Sequence, residues 1–381
     1  METRVTPRQR LLTVLSGKIP DCVPVAPDFS NMIPARLTGK PFWQLYLYND
    51  PPIFEAYVAC AKHFNIDSVM DGYFGIQYPF EVSNQPPMEE FIVMGTPDRI
   101  VTQQSCKDGR KRKWVPKVSV YYIDNPPTRD IPVEKLGMSA VPGKFEPIEG
   151  RKPVDRGPEG LKCVKRLMGE QGLVGVFVAG TCAFTNEEGI LNYFDHPELH
   201  GKWAAERIEQ AERRFDYIMS LDEKPDFICV GGSGTLVYQT VEMFRKVAFP
   251  AVKRVIELAT ARSIPTHIHS CGPEKALVKI MAEETSLTVI DPLEIPPMGD
   301  CNLAELKRLY GKRLTLKGNL HTTEVMLKGT VDDVIRASKK AIDDAAEGGR
   351  FILSTGDQCG RDTPDENLRA MIDTARTYGK Y

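Results

Sequence analysis

Two histidines and a cysteine alternate along one short apolar segment of this chain. His267, His269 and Cys271 lie two residues apart, so in a β-strand their side chains point to the same face. Imidazole nitrogens and thiolates are donors that zinc prefers, and three protein ligands leave the fourth position open, as in catalytic zinc sites. The spacing predicts a zinc site at a strand end, with His269 and Cys271 as two ligands.

A third thiol follows another apolar segment close to the C-terminus. Strand ends that are distant in sequence meet at the mouth of a β/α barrel, so we expect Cys359 to complete the ligand set. His267 lies one pleat deeper and is expected to be a hydrogen-bonded supporting residue, not a ligand. A His-x-Cys pair by itself is more often two unrelated side chains. The prediction therefore depends on the fold that brings these segments together.

Eight short apolar runs, most of them rich in β-branched residues, end in or near glycine, aspartate or another polar residue. They span residues 23–28, 68–73, 175–181, 227–232, 265–271, 287–291, 314–319 and 351–357. Amphipathic helical patterns fill the gaps, at 52–64, 197–219, 241–261, 274–284, 303–309 and 331–346. This alternation predicts an α/β fold with parallel pairing, a single (β/α)8 TIM barrel over residues 1–381.

Residues 75–155 interrupt the alternation after the second run. Two alternating stretches, 99–105 and 114–122, flank Asp108-Gly109, which is a hairpin signal. We expect an inserted β-excursion near the barrel mouth. The basic run 110–113 is expected to be a solvated hairpin tip, and a docking patch for an acidic partner is the alternative.

The composition excludes several classes of protein. The chain has 381 residues, a formal net charge of -2, 42% hydrophobic and 26% charged residues, which is typical of a globular protein and gives no reason to expect nucleic acid. No run of about 18 apolar residues predicts a membrane span, and the first 15 residues lack a signal-peptide core. Nine cysteines in a long chain favour reduced thiols in the cytoplasm.

Several motifs together resemble those of a known superfamily. Residues 266–272, 316–319, 351–357 and 363–367 resemble the uroporphyrinogen decarboxylase superfamily, and within it the zinc-dependent corrinoid methyltransferases. The likeness is best from about Pro225 to Tyr378. In that branch, the positions of the His-x-Cys pair and the later cysteine carry the zinc, which supports the ligand set proposed above.

The resemblance also separates possible activities. The decarboxylase has an arginine-rich motif near its first strand, whereas residues 26–33 here contain no arginine, so the decarboxylase is a poor match. Of the methyltransferases, one kind moves a methyl group from a corrinoid to a thiol such as coenzyme M. The other takes a methyl group from a methylated substrate to a corrinoid protein. The excursion and residues 356–363 look more like the second kind, the methoxyarene O-demethylases.

The resemblance implies a mechanism with two components. Zinc would act as a Lewis acid on the ether oxygen of a small methylated substrate, and cobalt(I) of a corrinoid would accept the methyl group. No Asp-x-His-x-x-Gly corrinoid motif occurs in this chain, so the corrinoid would belong to a partner protein. In the thiol alternative, a zinc-bound substrate thiol would attack methylcobalamin. A non-enzymatic barrel with structural zinc is the opposing class.

The aromatic residues after the second run could form a substrate wall. Tyr73, Phe74 and Tyr78 offer ring faces and two hydroxyls, which suit an aromatic ring in a pocket. The alternative is a buried aromatic cluster beneath the excursion.

Other polar and glycine residues at strand ends are candidates for supporting roles. Gly231 and Gly232 could let a cofactor approach closely, with Asn319 beside it, although a tight strand-to-helix turn is preferred for the glycines. Asp291 and Glu294 follow the sixth run. Each could be a fourth ligand, a hydrogen-bond acceptor for a ligand, or a helix cap.

Overall fold

The computed structural model describes residues 5–81, 86–109 and 111–381. The chain divides into two compact units. The large unit comprises Met1–Ser30, Ala61–Ile76 and Arg156–Tyr381, and the small unit comprises Asn31–Cys60 and Gln77–Asp155. Arg110, the first residue of the predicted basic run, lies outside the described residues.

The strands of the described residues are numbered in chain order. They are β1 (Ser68–Met70), β2 (Glu89–Gly95), β3 (Arg99–Asp108), β4 (Lys111–Tyr122), β5 (Thr128–Pro132), β6 (Glu146–Pro147), β7 (Gly172–Phe177), β8 (Phe227–Cys229), β9 (Thr266–His269), β10 (Val289–Asp291), β11 (Thr315–Leu320) and β12 (Phe351–Thr355).

The helices are numbered in the same way. They are α1 (Pro7–Leu15), α2 (Met32–Leu37), α3 (Phe42–Tyr46), α4 (Ile53–Phe64), α5 (Pro158–Met168), α6 (Glu187–Asp195), α7 (His200–Ser220), α8 (Val241–Met243), α9 (Phe249–Thr260), α10 (Lys275–Glu284), α11 (Leu303–Tyr310), α12 (Val331–Ala345) and α13 (Asp365–Thr377). Short 3-10 turns and two π-helical segments, Phe244–Ala248 and Thr322–Leu327, connect some of them.

A seven-stranded parallel sheet organises the large unit. Its order is β1-β7-β8-β9-β10-β11-β12, and every pairing in it is parallel. Most of these strand residues are buried, as expected when helices cover a parallel sheet. The predicted α/β class with parallel pairing is confirmed.

The first predicted run, residues 23–28, forms no full strand but makes backbone hydrogen bonds on both sides. Ala26 N donates to Leu353 O of β12 at 2.9 Å, and Leu353 N donates to Pro24 O at 2.9 Å. On the other side, Asp67 N donates to Val25 O at 2.9 Å, one residue before β1. The extended segment therefore lies between the two outer strands of the sheet.

Helix α1 packs against residues from several strands of the same sheet. Leu11, Val14 and Leu15 form one buried cluster with side chains of the sheet: Ala26, Leu173, Phe227, Cys229, Val289 and Ile352. The amphipathic helix thereby removes apolar side chains from water, at roughly 25 cal/mol per Å² buried. The cluster gives the strands a common core.

The small unit contains an antiparallel sheet of order β5-β4-β3-β2-β6. Strands β3 and β4 form the predicted hairpin, with Asp108 opposite Lys111. Gly109, in the connection, has φ of +60°, a conformation that only glycine adopts without a steric cost. Val101, Val118, Val120 and Val133 form an apolar cluster in this unit.

Helix boundaries follow local sequence signals. Thr330 caps α12 through a capping box with Asp333, because its hydroxyl accepts from Asp333 N and the Asp333 carboxylate accepts from Thr330 N. The predicted helix 241–261 is divided into α8, a π-helical segment and α9. Among the described residues, no helix combines the length and apolar character that crossing a membrane requires.

Candidate metal centre

The register of β9 and β10 puts an aspartate beside the two histidines. His269 pairs with Asp291 across the strands, and His267 pairs with Val289. Asp291 Oδ1 lies 3.0 Å from His267 Nε2 and 3.2 Å from His269 Nδ1. When the Asp291 carboxylate accepts a hydrogen bond from Nδ1–H of His269, the Nε2 atom of that ring is available to bind a metal.

A buried lysine completes this cluster. Lys317 of β11 pairs with Asp291 Oδ2, and both side chains are almost fully buried. Burial raises the pKa of Asp291, but the charges of Lys317, His267 and His269 lower it by more, so it lies well below its usual value. Burial lowers the pKa of Lys317, but Asp291 and other carboxylates raise it by more, so this pKa lies above its usual value. Both groups are therefore charged at neutral pH.

Cys271 meets two carboxylates beyond the end of β9. Its Sγ forms one possible ligand group with Glu294 and Asp357, in which the donor atoms lie within 4.8 Å of one another. Glu294 is oriented by the backbone, since Gly272 N donates to its Oε2 at 2.5 Å. Burial raises the pKa of Glu294.

His269 belongs to two further groups of the same kind. One joins it to Asp28 and Asp357, and the other to Asp71 and Asp291. Its Nε2 lies 3.6 Å from Asp357 Oδ1. Burial lowers the pKa of His269, but Asp291 raises it by more, and a hydrogen bond with Cys271 adds to the rise. Asp357 is thus shared between the His269 and Cys271 groups.

Cys359 lies close to these groups but joins none of the three found among the described residues. Its thiol is fully buried, and its backbone N donates to Asp28 O at 2.8 Å. Burial raises the pKa of the Cys359 thiol to about 12, although hydrogen bonds with Thr355 and Thr363 lower it. Carboxylates of Glu294 and Asp357 accompany Cys271 in the group where Cys359 was expected.

The donor chemistry at this centre fits zinc. An imidazole, a thiol and carboxylates converge, whereas magnesium and calcium take oxygen ligands almost exclusively. His269 Nε2, Cys271 Sγ and the carboxylates of Asp357 or Glu294 are the atoms that would hold it. The buried Asp291 provides the supporting hydrogen bond that zinc-binding histidines usually make.

The predicted substrate residues have different environments. Tyr73 lies in the large unit, and its hydroxyl donates to Asp28 Oδ1 at 3.3 Å, which puts it beside the His269 group. Phe74 is buried in the same unit. Tyr78 belongs to the small unit, where its ring centroid lies 5.8 Å from that of Phe80. Of these three residues, Tyr73 is the one that the described contacts connect to the metal centre, through its bond to Asp28.

The predicted cofactor-contacting residues make backbone contacts. A Cβ on Gly231 would lie 2.9 Å from Ile268 Cγ2 and 3.1 Å from His269 N, so glycine allows β8 and β9 to end close together. Gly232 O accepts the Thr235 hydroxyl at 3.1 Å, which closes the following turn. Asn319 Nδ2 donates to Leu293 O at 2.9 Å. These contacts orient the loops around His269 and Glu294.

Sequence reasoning did not assign roles to Asp28, Asp71, Asp357 and Lys317. A signal for the aspartates was present, because Asp28 and Asp357 end apolar runs, as Asp291 does, and Asp71 lies within one. Lys317 is a single charged residue in the otherwise uncharged stretch 314–320, which is itself a sign of a paired, buried charge.

One family model matches the C-terminal part of the chain. Residues 225–378, which extend from before β8 to the end of α13, match the uroporphyrinogen decarboxylase (URO-D) family. This region contains His269, Cys271 and Cys359, and the predicted superfamily is confirmed.

Three curated relatives match parts of the chain. Over 169 residues, the chain is 25% identical to the methylcobamide:CoM methyltransferase MtbA of Methanosarcina mazei, covering 44% of this chain and 43% of the relative. It is 25% identical over 196 residues to MtbA of Methanosarcina acetivorans, covering 51% of each chain. For MtaA of Methanosarcina barkeri, identity is 30% over 115 residues, covering 30% and 31%. The chain thus spans about half, or less, of the length of these relatives.

A solved structure shares the fold over nearly the whole chain. It is a methyltransferase from Methanosarcina mazei, with a TM-score of 0.54 and 16% identity, covering 98% of this chain and 99% of that one. At this level of identity, the likeness concerns the fold.

Proposed function

We propose that this chain is a zinc-dependent methyltransferase that passes a methyl group from a methylated corrinoid, carried by a partner protein, to a small thiol. The main support is that Asp357 belongs both to a possible ligand group with His269 and to one with Cys271 and Glu294, and that His269 and Cys271 are hydrogen-bonded. The names of the relatives support the direction, because they specify a methylcobamide and CoM. In the reaction, the S–H proton leaves, an S–C bond forms, and the electron pair of the C–Co bond stays with cobalt.

We also propose that the large unit forms a (β/α)8 barrel. The seven parallel strands would be joined by residues 23–28, which bond to Leu353 on one side and to Asp67 on the other. His269, Cys271 and Asp357 lie at or beyond the carboxyl ends of their strands, where barrels build active sites. Slow amide hydrogen exchange at Ala26, whose N–H donates to Leu353 O, is the expected readout.

A bound zinc ion would lower the pKa of a coordinated substrate thiol and so provide a thiolate at neutral pH. The chain's own residues prepare for this. Asp291 orients the His269 ring, and Lys317 balances the Asp291 charge. Cys271 Sγ and Asp357 supply the remaining donors, with Glu294 held in place by Gly272 N.

Asp28 is the group best suited to receive the thiol proton. It shares a ligand group with His269 and Asp357, and burial raises its pKa above that of an ordinary carboxyl. A carboxylate with a raised pKa is a stronger base near neutral pH. The Tyr73 hydroxyl and Ser30 N both donate to its Oδ1, which keeps the carboxylate facing the centre.

The methoxyarene O-demethylase is the second candidate. The observation in its favour is Tyr73 beside Asp28, since an aromatic ring at the centre suits an aromatic donor. The thiol acceptor ranks first because the relatives' names describe that reaction.

One experiment separates the two candidates. The purified chain is given methylcobalamin with a panel of thiols, and separately a Co(I) corrinoid with a panel of methoxyarenes, while the corrinoid spectrum is recorded. The proposal predicts fast conversion of methylcobalamin to Co(I) with a thiol. Cys271→Ser should abolish the conversion and lose zinc, whereas Cys163→Ser, at a half-buried cysteine of α5, should retain both.

Two results would contradict the proposal. Methylation of Co(I) by a methoxyarene, with no response to any thiol, would favour the second candidate. Full zinc content and full activity in Cys271→Ser would exclude Cys271 as a zinc ligand and so contradict the proposed metal centre.

A further inference from the structure

The large unit has a cavity at the amino-terminal ends of its parallel strands, whereas His269 lies at their carboxyl-terminal ends. Its volume is about 700 Å³, within the range of small-ligand sites. It is lined by residues that precede the extended segment 23–28, by residues that precede β1, and by one face of α13 and the chain beyond it. Since these strands are parallel, residues before their first positions lie far from the metal centre.

The floor of the cavity is electrically balanced. Asp67, which is fully buried, pairs with Arg10 at 2.6 Å and with Arg376 at 2.7 Å. Arg10 also forms a two-pronged pair with Asp21, at 2.8 Å for both contacts. Two guanidinium groups thus face two carboxylates, and this network has no net charge to offer a ligand.

Arg369 is held in the cavity wall without being neutralised. Its Nη2 donates to His63 Nε2 at 3.0 Å. The guanidinium also lies 5.1 Å from the centroid of the Phe64 ring. Both contacts fix the orientation of the guanidinium, but neither supplies a negative charge.

Lys380 is the second cation of the wall. Within the ranges that the structure describes, neither Lys380 nor Arg369 forms an ion pair with a carboxylate. Asp373 lies one turn after Arg369 on α13 and likewise makes no ion pair there. The wall therefore presents two unpaired cations and one unpaired carboxylate to the cavity, an excess of one positive charge.

We infer that this cavity binds a small organic anion, with a phosphate or carboxylate group held between Arg369 and Lys380. A guanidinium fork matches the paired oxygens of either group, and a lysine adds a point charge from another direction. Asp373 accepts a hydrogen bond from a hydroxyl of the same molecule. The inference is independent of the proposed methyl transfer, because no residue of the metal centre takes part.

Isothermal titration of the purified full chain tests the inference. The probes are inorganic phosphate, glycerol phosphate and succinate, so the comparison shows whether phosphate or carboxylate is preferred. We expect saturable binding of at least one probe, with a Kd on the order of 1 mM. Arg369→Gln and Lys380→Gln should each weaken it by at least about fivefold, since each removes a charge-assisted contact.

A matched control exists in the same unit. Arg262 also lies 5.1 Å from a phenylalanine ring centroid, that of Phe215, but it is outside the cavity. Arg262→Gln should bind the probes as the unmodified chain does, and Asp373→Asn should bind inorganic phosphate more tightly. Equal melting temperatures for the Arg369 and Arg262 variants exclude a folding effect.

Three outcomes would overturn the inference. One is no saturable binding of any probe by the unmodified chain. The second is the same loss of affinity in Arg262→Gln as in Arg369→Gln. The third is binding that disappears in Cys271→Ser but persists in Arg369→Gln, which would assign the anion to the metal centre.

Discussion

Replacement of Lys317 by methionine tests the electrostatic basis of the candidate metal centre. Methionine keeps much of the apolar volume of lysine but removes the ammonium that pairs with Asp291. Asp291 would then keep only its contacts with His267 Nε2 and His269 Nδ1, at 3.0 Å and 3.2 Å. The carboxylate would remain buried with fewer compensating charges.

The expected magnitude follows from this burial. Removal of one partner from a buried ion pair typically costs about 3–5 kcal/mol, because the other charge is left uncompensated. The two imidazoles still donate to Asp291, so we expect about 2–4 kcal/mol of lost unfolding free energy. Since Asp291 orients His269, zinc affinity should also fall by about 10–100-fold, as for other residues that hold a metal ligand in place.

Two measurements check these values, namely denaturant unfolding and competition for zinc with a chromophoric chelator. Lys312→Met, an exposed lysine just before β11, is the matched control and should change neither. The double variant Lys317→Met with Asp291→Asn should recover part of the unfolding free energy, because it also removes the stranded charge. A Lys317→Met protein within about 0.5 kcal/mol of the unmodified one, with unchanged zinc affinity, would refute this reasoning.

Four further predictions concern other parts of the chain. Asp226 has a lowered pKa, because its bonds to Arg8 and neighbouring groups outweigh the effect of burial. Its contribution to the free energy of unfolding, about 2 kcal/mol, is present above the unfolded pKa of about 4 and is lost as the pH falls through the folded pKa. Denaturation curves of Asp226→Asn and of the unmodified chain should therefore converge in acid. Cys359→Ser should lower zinc content if that thiol is a ligand, and full retention in metal analysis would assign the role to the carboxylates. Tyr73→Phe should slow thiol methylation by about tenfold through its lost bond to Asp28, whereas an unchanged rate would separate Tyr73 from the chemistry. Calorimetry should give one unfolding transition if residues 1–381 form the single domain predicted from sequence, and two resolved transitions would contradict it.

Much of the fold could be predicted from the pattern of hydrophobic residues in the sequence. Seven of the eight predicted runs overlap strands of the parallel sheet, because buried parallel strands are short and apolar on both faces. The hairpin at Asp108-Gly109 was readable for a local reason, the turn preference of glycine. The inclusion of Asn31–Cys60 in the small unit was not readable, because it depends on packing between segments that are distant in sequence.

For the candidate site, the sequence by itself determined which strand end holds the proposed ligands His269 and Cys271. Period two along β9 puts His267 and His269 on one face, and Cys271 follows just beyond the end of the strand. Only the tertiary structure decided which side chains surround them. Strand register and the path of the loops bring Lys317 to Asp291, and Asp357 to both His269 and Cys271. Which parallel strands become neighbours depends on packing between segments that are distant in sequence. The sequence of either strand alone therefore does not reveal its neighbour.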